Sequence, residues 1–388
     1  MSEWKEYKLV DLTIDGKGSY GIAASAIEFD ASKYTYLRIT DINDDGTINK
    51  NGLKSVDDVN ASNYLLRPND IVFARTGASV GRSYFYDGKD GEFVYAGFLI
   101  KFSIDPNKVN PKILKYYTHS QPYYDWILSV DNGATRGNIN AQTYSSMPII
   151  LPDRNRQDKI VSILSSLDDK IDLLHRENKT LEAMAETLFR KWFVEDANGN
   201  SICLGEVIKT TSGGTPSRKK EEYYSNGNIA WVKSKELQCS YILDTEEKIT
   251  EDAITNSSAK LLPENSILIA MYGATVGEYG IISKPMTCNQ AICALIPNEN
   301  YPYTYLYLWA KYMQGEFINL ACGAAQQNIS QELIKQQYVS NDLKQISDFH
   351  ILVAPYLEKM KVNQEMIQTL TQTRDGLLPK LMSGEIKV

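Results

Sequence analysis

The sequence predicts an α+β fold: two homologous globular α/β domains joined by two long antiparallel coiled-coil helices, with a pseudo-twofold internal repeat. Three observations support this fold. Ordered blocks of sequence recur about 190 residues apart, two stretches carry apolar heptads, and each copy contains short alternating strand patterns. With 388 residues, of which 43% are hydrophobic, the chain is long enough for two or three ordinary globular domains.

The internal repeat is visible in pairs of segments that occur in the same order. Residues 65–81 and 261–277 both contain a Leu-Leu pair, a turn, a β-branched strand and a Gly-Ala-x-Val-Gly loop, at an offset of 196 residues. Further along, 133–140 and 323–330 correspond at an offset of 190, and the long helices follow at 189. Because the offset changes so little over half the chain, we infer that one ancestral unit was duplicated.

Each copy is predicted to contain the same elements in the same order. Short alternating strands come first, at 34–40 and 229–233. The glycine loop follows, with glycines where the backbone must turn or approach another group closely. A tyrosine-rich stretch then predicts a helix at 111–130 and at 302–320, and a polar loop separates it from the long helix.

The long helices are predicted from apolar residues spaced alternately by three and four. A 3.5-residue period held over about four heptads is typical of a coiled coil, and so long a helix needs a partner. Each seam has one central polar residue, Asn178 or Asn363, which we expect to fix the register at some cost in stability. Two unrelated surface helices with chance heptads are the alternative. The predicted seam between the helices comprises Leu164, Leu167, Ile171, Leu174, Asn178, Leu181, Leu188, Trp192, Met360, Asn363, Ile367, Leu370, Leu377 and Leu381.

Composition excludes several classes of protein. The net charge of −7 argues against nucleic-acid binding through bulk positive charge, so a DNA-binding role would need a local cationic face or a partner. No apolar run approaches the roughly 18 residues that span a bilayer, and the N-terminus has no signal-peptide core. The five cysteines form no Cys-x-x-Cys pair and the three histidines have no metal-like spacing. We therefore expect a cytoplasmic protein with reduced thiols, no metal and no membrane partner.

The sequence also lacks recognisable catalytic motifs. Only three residues separate the glycines of each Gly-Ala-x-Val-Gly loop, followed by Arg82 or Glu278, whereas a phosphate-binding loop needs four and then a lysine. There is no dinucleotide-binding glycine motif and no tetrapeptide of the kind amino-methyltransferases use for an extruded base. Residues 246–248 resemble the tail of a nuclease motif, but nothing supplies the rest. We predict no catalytic residues and no cofactor bound by this chain.

The repeats do offer polar loop residues that differ between the copies. Arginine pairs with guanine, and glutamine or asparagine pairs with adenine, in the major groove. Loops on a rigid scaffold commonly carry binding specificity, although any one of these side chains could belong to an ordinary surface loop. The candidate DNA contacts in these loops are Arg75, Thr76, Arg82, Arg136 and Asn138 in the first copy and Tyr272, Gln326, Gln327 and Asn328 in the second.

The arrangement resembles the specificity subunit of type I restriction–modification systems. Besides the two glycine loops, the segments that carry the resemblance are 4–12, 156–160, 212–217 and 378–386. It implies that 1–152 and 197–344 are target-recognition domains, and that 153–196 and 345–388 are the helical regions. It also implies DNA contacts by Thr215 and Ser217 in the Gly-Gly-Thr-Pro-Ser segment. At the corresponding place the first copy has the different sequence 15–21.

The resemblance further implies a non-catalytic subunit that recognises a bipartite, asymmetric site in double-stranded DNA. Two modification subunits would dock on the helices, carry S-adenosylmethionine and methylate adenine N6, and restriction subunits could join them. The helix pair would act as a ruler between the half-sites. Two alternatives stay open: a structural adaptor that binds only protein, and a self-contained DNA-modifying enzyme with an unrecognised motif.

Overall fold

The computed structural model describes residues 4–131, 137–196, 199–322 and 328–388. The chain forms two compact units. Unit 1 comprises Met1–Asp169 and Thr371–Val388, and unit 2 comprises Lys170–Leu370. Both divisions fall within long helices, so the four segments proposed from the sequence stay a prediction.

The described residues of unit 1 include ten short strands, most of them with buried apolar side chains. They form a four-stranded sheet in the order β2-β9-β6-β7, a second in the order β3-β5-β4-β8, and a β1-β10 pair. Rings from several elements fill the core, with the Phe73 and Tyr144 centroids 4.7 Å apart. The strands are β1 (Lys5–Lys8), β2 (Ser19–Tyr20), β3 (Ala26–Ile27), β4 (Tyr34–Leu37), β5 (Lys54–Val56), β6 (Asp70–Ala74), β7 (Ser83–Tyr86), β8 (Phe93–Tyr95), β9 (Leu99–Ser103) and β10 (Pro148–Leu151).

Unit 2 repeats this plan. Its main sheet has the order β12-β19-β16-β17-β14, beside a β15-β13-β18 sheet and a β11-β20 pair. The parallel pairing of β4 with β8 in unit 1 has a counterpart in that of β13 with β18. The strands are β11 (Ser201–Cys203), β12 (Lys209–Ser212), β13 (Ile229–Val232), β14 (Tyr241–Ile242), β15 (Lys248–Ile249), β16 (Ile267–Ala270), β17 (Tyr279–Ile282), β18 (Thr287–Cys288), β19 (Ile292–Ile296) and β20 (Tyr338–Ser340). The predicted α+β class and internal repeat are confirmed.

The tyrosine-rich stretches fold differently in the two units. Unit 2 has one helix, Tyr303–Cys322, whereas unit 1 has two, Ile113–Tyr117 and Gln121–Asp131, where we predicted one. Pro122 lies in the first turn of the second helix, and its missing N–H prevents an unbroken backbone ladder. Shorter helices lie at Ala141–Ser145 in unit 1, and at Leu204–Val207, Glu251–Thr255 and Gln331–Lys335 in unit 2.

Two long helices pass from one unit into the other. The first long helix is Arg154–Arg190, continued by a π-helical turn at Lys191–Glu195, and the second long helix is Leu343–Ser383. Within unit 2 they pack antiparallel, since Ile171 clusters with Ile367 and Phe189 packs on Phe349. No helix in these described ranges combines the length and apolar character needed to cross a bilayer.

The predicted seam residues vary in burial. Near the end of the first long helix, Ala185 and Phe189 are the buried positions, four residues apart, because the helix turns this face toward the core of unit 2. The heptad pattern placed a seam position at Leu188, which is half-buried, and not at Phe189. Buried seam residues are Leu164, Ile171, Leu174, Met360, Asn363, Ile367 and Leu381, and half-buried ones are Leu167, Asn178, Leu181, Leu188, Trp192, Leu370 and Leu377.

The two seam asparagines contact each other directly in unit 2. Asn363 Nδ2 donates to Asn178 Oδ1 at 2.8 Å and to Glu177 Oε2 at 3.0 Å. Asn178 Nδ2 in turn donates to the carbonyl of Met360 at 3.4 Å. Asn363 Oδ1, by contrast, is buried without a hydrogen-bond partner. An asparagine pair with one unsatisfied oxygen thus lies in the apolar seam.

Candidate nucleic-acid interface

The Gly-Ala-x-Val-Gly loops have the same backbone in both units. Each follows a buried strand, β6 or β16. The two glycines have φ of 71° and 85° at Gly77 and Gly81, and of 72° and 83° at Gly273 and Gly277. This left-handed region is readily populated only by glycine, which explains the residue pattern. The loop is therefore one conserved frame built twice.

A second loop lies against each glycine loop. In unit 1, Ile139 N donates to Arg75 O at 2.9 Å and Thr76 forms a bridge with Asn138. In unit 2, Tyr272 forms the equivalent bridge with Asn328. The structure thus brings together Arg75, Thr76 and Asn138 in unit 1 and Tyr272 with Asn328 in unit 2. Three further candidates, Arg136, Gln326 and Gln327, lie outside the described residues.

Arg75 is half-buried at the centre of the unit 1 loops. Its guanidinium carbon lies 5.0 Å from the centre of the Tyr20 ring, a cation–π distance. Nη2 is 3.4 Å from Asn138 Oδ1, and Nε is buried without a hydrogen-bond partner. Tyr272, beside the equivalent position of unit 2, is 45% exposed. The two loops therefore present different chemistry on the same frame.

Arg82 is engaged within unit 1. Its Nε donates to Asp44 Oδ1 at 2.6 Å, and Nη1 donates to the carbonyl of Ile42 at 3.1 Å. At the equivalent place in unit 2, Cys239 Sγ donates to Glu278 Oε2 at 3.0 Å. Burial and the neighbouring carboxylate raise the pKa of Cys239 to about 11, so the thiol stays protonated near neutral pH. A polar pair thus links each glycine loop to a second segment of its own unit.

Thr215 and Ser217 are exposed on a tightly packed turn of unit 2. The turn follows β12, and a Cβ on Gly213 would lie 2.0 Å from the carbonyl oxygen of Cys288, so no larger residue fits there. Trp231 Nε1 donates to Gly214 O at 3.0 Å and fixes the next peptide. Both hydroxyl residues are therefore presented by a rigid backbone.

The counterpart of this turn in unit 1 is 21–25, which corrects the assignment to 15–21. Gly21 N donates to the carbonyl of Leu99 as Gly213 N donates to that of Ile292. A Cβ on Gly21 would lie 2.2 Å from the Ala96 carbonyl oxygen. Tyr36 donates to Ile22 O at 3.0 Å, as Trp231 does in unit 2. The shared signal, a Gly and a Ser four residues apart, is present in the sequence but too short to identify alone.

Arg218 is a functional candidate that the sequence reasoning missed. Its guanidinium carbon lies 4.4 Å from the Tyr224 ring centre and 5.1 Å from that of Trp231, and Nη2 is 2.7 Å from a Glu247 carboxylate oxygen. It directly follows Ser217, so the exposed turn carries a cation. The adjacent run Arg-Lys-Lys after the turn was the available signal.

The acidic pair at 246–247 is neutralised by basic side chains. Lys233 Nζ lies 3.1 Å from both Glu246 and Glu247, and Lys235 Nζ lies 2.7 Å from Glu246. Hydrogen bonds from Lys235 and Lys233 lower the pKa of Glu246. Over the parts of the chain that the structure describes, no three His, Cys, Asp or Glu side chains form a group able to hold a metal ion. The geometry here is that of an ion-pair network on the surface of unit 2.

Comparison with known proteins gives consistent matches. The family model described as "Type I restriction modification DNA specificity domain" matches residues 1–183 and 198–341. The MjaIX specificity subunit of Methanocaldococcus jannaschii is 26% identical over 308 residues, covering 74% of this chain and 71% of that protein. The HindI specificity subunit of Haemophilus influenzae is 24% identical over 473 residues and is covered completely, as is this chain.

A solved structure shows the same fold. The S subunit of a type I restriction–modification system from M. genitalium superposes with a TM-score of 0.62 at 18% identity, covering 98% of this chain and 96% of that one. The family model matches once in each half of the chain, as expected for a duplicated unit.

Proposed function

Because this chain belongs to the type I restriction–modification DNA specificity family, we propose that it recognises a bipartite, asymmetric site in double-stranded DNA and directs adenine-N6 methylation by partner subunits. The observation that carries the proposal is the pair of matched loop frames. Both glycine loops have nearly the same φ angles and the same bridge to a second loop. The side chains they present differ, because unit 1 has Arg75 and unit 2 has Tyr272 at the next position of the frame. A shared frame with different side chains suits two different short DNA segments.

We propose that partner subunits supply the cofactor and the catalysis. We expect two modification subunits, which would hold S-adenosylmethionine and carry out the methyl transfer in the cytoplasm, with restriction subunits as further partners. The net charge of −7 supports shared DNA binding, because phosphate neutralisation dominates protein–DNA affinity and an acidic chain contributes little of it in bulk. The chain's own contribution is then specificity, from base contacts in the loops.

The test is a map of methylated adenines at single-molecule resolution. Cells would express the modification subunit with this chain or without it. We expect methylation at one two-part sequence with a fixed gap, only when both proteins are present. Methyl transfer by the purified chain with S-adenosylmethionine alone would contradict the non-catalytic assignment. Methylation without any sequence preference would contradict the recognition role and favour an adaptor.

A second experiment assigns one unit to each half-site. Tyr272→Ala and Asn328→Ala lie in unit 2, so we expect each variant to relax base preference in one half-site and leave the other unchanged. Changes in both half-sites together would refute the assignment. The role of the long helices as a spacer stays a prediction. It is tested by inserting one heptad at matched points in both helices, which should lengthen the methylated gap and keep both half-sites.

A further inference from the structure

The backbone of Arg75 is fixed from both sides. Its N–H donates to the carbonyl of Phe98 at 3.1 Å, and its carbonyl accepts from Ile139 N at 2.9 Å. Arg75 follows β6, whose residues are all buried. The start of the side chain therefore has a defined position and direction.

The guanidinium is also restrained. It lies over Tyr20, whose hydroxyl accepts a hydrogen bond from Ala141 N at 3.0 Å and is thereby held in place. Asn138 lies beside Nη2, and Nε is buried. No carboxylate in the described ranges forms an ion pair with Arg75. A restrained guanidinium that lacks an anionic partner is suited to an acceptor outside the chain.

Two exposed aromatic residues belong to this site: Tyr20, whose ring lies under the guanidinium, and Phe98, whose carbonyl accepts from Arg75 N–H. Phe98 is 59% exposed and Tyr20 is 42% exposed, although large aromatic side chains are usually buried. Exposed aromatic rings beside an arginine are a common means of holding nucleic-acid bases. We call the group Arg75, Tyr20 and Phe98 the Arg75 corner.

The equivalent corner of unit 2 has the same backbone hydrogen bonds but different side chains. Met271 N donates to the carbonyl of Ala291 at 2.8 Å, and Met271 O accepts from Ile329 N at 2.9 Å, as for Arg75. Met271 is 2% exposed, and Ser212 stands where unit 1 has Tyr20. Since the backbone is unchanged, the difference lies in the side chains alone.

We infer that Arg75 binds a guanine in the half-site contacted by unit 1, and that unit 2 has no equivalent guanine contact at this corner. This inference rests on the proposed function. Guanine presents O6 and N7 as two neighbouring acceptors in the major groove, which match the fork of an arginine. Tyr20 orients the guanidinium, and Phe98 packs against the adjoining base.

The experiment compares Arg75→Lys with Arg75→Met in the full chain assembled with its modification subunits. Relative affinity is measured on duplexes in which each base pair of the wild-type site is changed in turn. Lysine keeps the charge but not the planar fork, so Arg75→Lys should lose roughly 5- to 150-fold of the discrimination at one G·C pair, and at no other. Unit 2 already has methionine in this frame, so Arg75→Met should fold.

The control is Arg67→Lys. Arg67 is an exposed arginine that precedes the start of β6, whereas Arg75 follows its end. The Arg67→Lys substitution should leave every base preference unchanged. A phosphate contact would instead give unchanged discrimination in Arg75→Lys and uniform weakening on all duplexes in Arg75→Met, which would overturn the inference. Loss at a position that Tyr272→Ala also affects would overturn it too, because the guanine would then belong to unit 2. A wild-type complex without base preference would refute the proposed function itself.

Discussion

The asparagine pair in the helix seam gives a quantitative prediction. Asn363 is 1% exposed, so Asn178→Leu would leave its amide with only Glu177 as a partner, and we expect a loss of about 1–3 kcal/mol in the free energy of local opening. Asn363→Leu also loses two hydrogen bonds, worth about 2–3 kcal/mol together. The same substitution removes the unsatisfied Oδ1 and buries a leucine side chain. Together these two changes stabilise the seam by about 2–4 kcal/mol.

Asn363→Leu should therefore be close to neutral, and the double variant should be more stable than Asn178→Leu. In the Asn363→Leu background no buried amide is left unpaired, so Asn178→Leu should cost nothing or stabilise by about 1 kcal/mol. The expected coupling between the two substitutions is then about 2 kcal/mol, within the range for residues in direct contact. The loss of a polar pair would also remove a restraint on helix register.

Native-state hydrogen exchange is the appropriate measurement, because it gives opening free energies for the seam segments without assuming that both units unfold together. Lys179→Leu is the matched control, since Lys179 is exposed beside Asn178 and should change opening by less than about 0.5 kcal/mol. If Asn178→Leu had the same cost in both backgrounds to within about 0.5 kcal/mol, the two amides would not interact and the reasoning would be wrong.

Three further predictions concern the units. Burial raises the pKa of Asp168, but Lys115 and Arg374 outweigh it, so the folded pKa lies below the ordinary value. Asp168→Asn should cost unit 1 about 2 kcal/mol, less than a fully buried pair because Lys115 reaches solvent. The stabilisation in the native chain is complete above the unfolded pKa of about 4 and is lost as pH falls through the folded pKa. Unfolding measured between neutral and acid pH should therefore depend less on pH in the variant than in the native chain. Parallel stability curves for the two proteins would count against this role of Asp168. Gly273→Ala should lower the free energy of unfolding by about 1–2 kcal/mol. The cost comes from the backbone φ of 72° alone, since no atom lies within 4 Å of the added Cβ to cause a steric clash. A neutral result by thermal unfolding would contradict this backbone argument. Gly315→Ala, in the middle of a helix with open space, should stabilise by up to about 1 kcal/mol in the same assay, and a loss would show an unseen steric conflict.

The local features of the fold were predictable because they follow from short-range rules. Positive φ at the four loop glycines and the existence of the long helices come directly from residue pattern. The burial of Phe189 in place of Leu188 was not predictable, because it depends on the unit 2 core that the helix meets. Heptad spacing predicts which residues are buried when one helix packs against another helix. It does not predict the buried residues where a helix packs against a globular domain.

The candidate site was predictable only in part, for a related reason. Arg75 was identified from its place in a repeated loop, whereas Tyr20 and Phe98 join it through folding and carry no motif of their own. The engagement of Arg82 with Asp44 likewise joins residues far apart in the sequence. Sequence pattern locates loops, but side-chain partners across a sheet require the packed structure.

The polar pair that links each glycine loop to a second segment determines how the loops can be exchanged between proteins or between units. Unit 1 joins Arg82 to Asp44, and unit 2 joins Glu278 to Cys239. A graft of the unit 2 loop alone into unit 1 would set a glutamate beside Asp44, and two carboxylates at that distance repel each other. The transplantable module is therefore the glycine loop together with the segment around 44 or 239. Engineering of new DNA targets should move both pieces as one cassette.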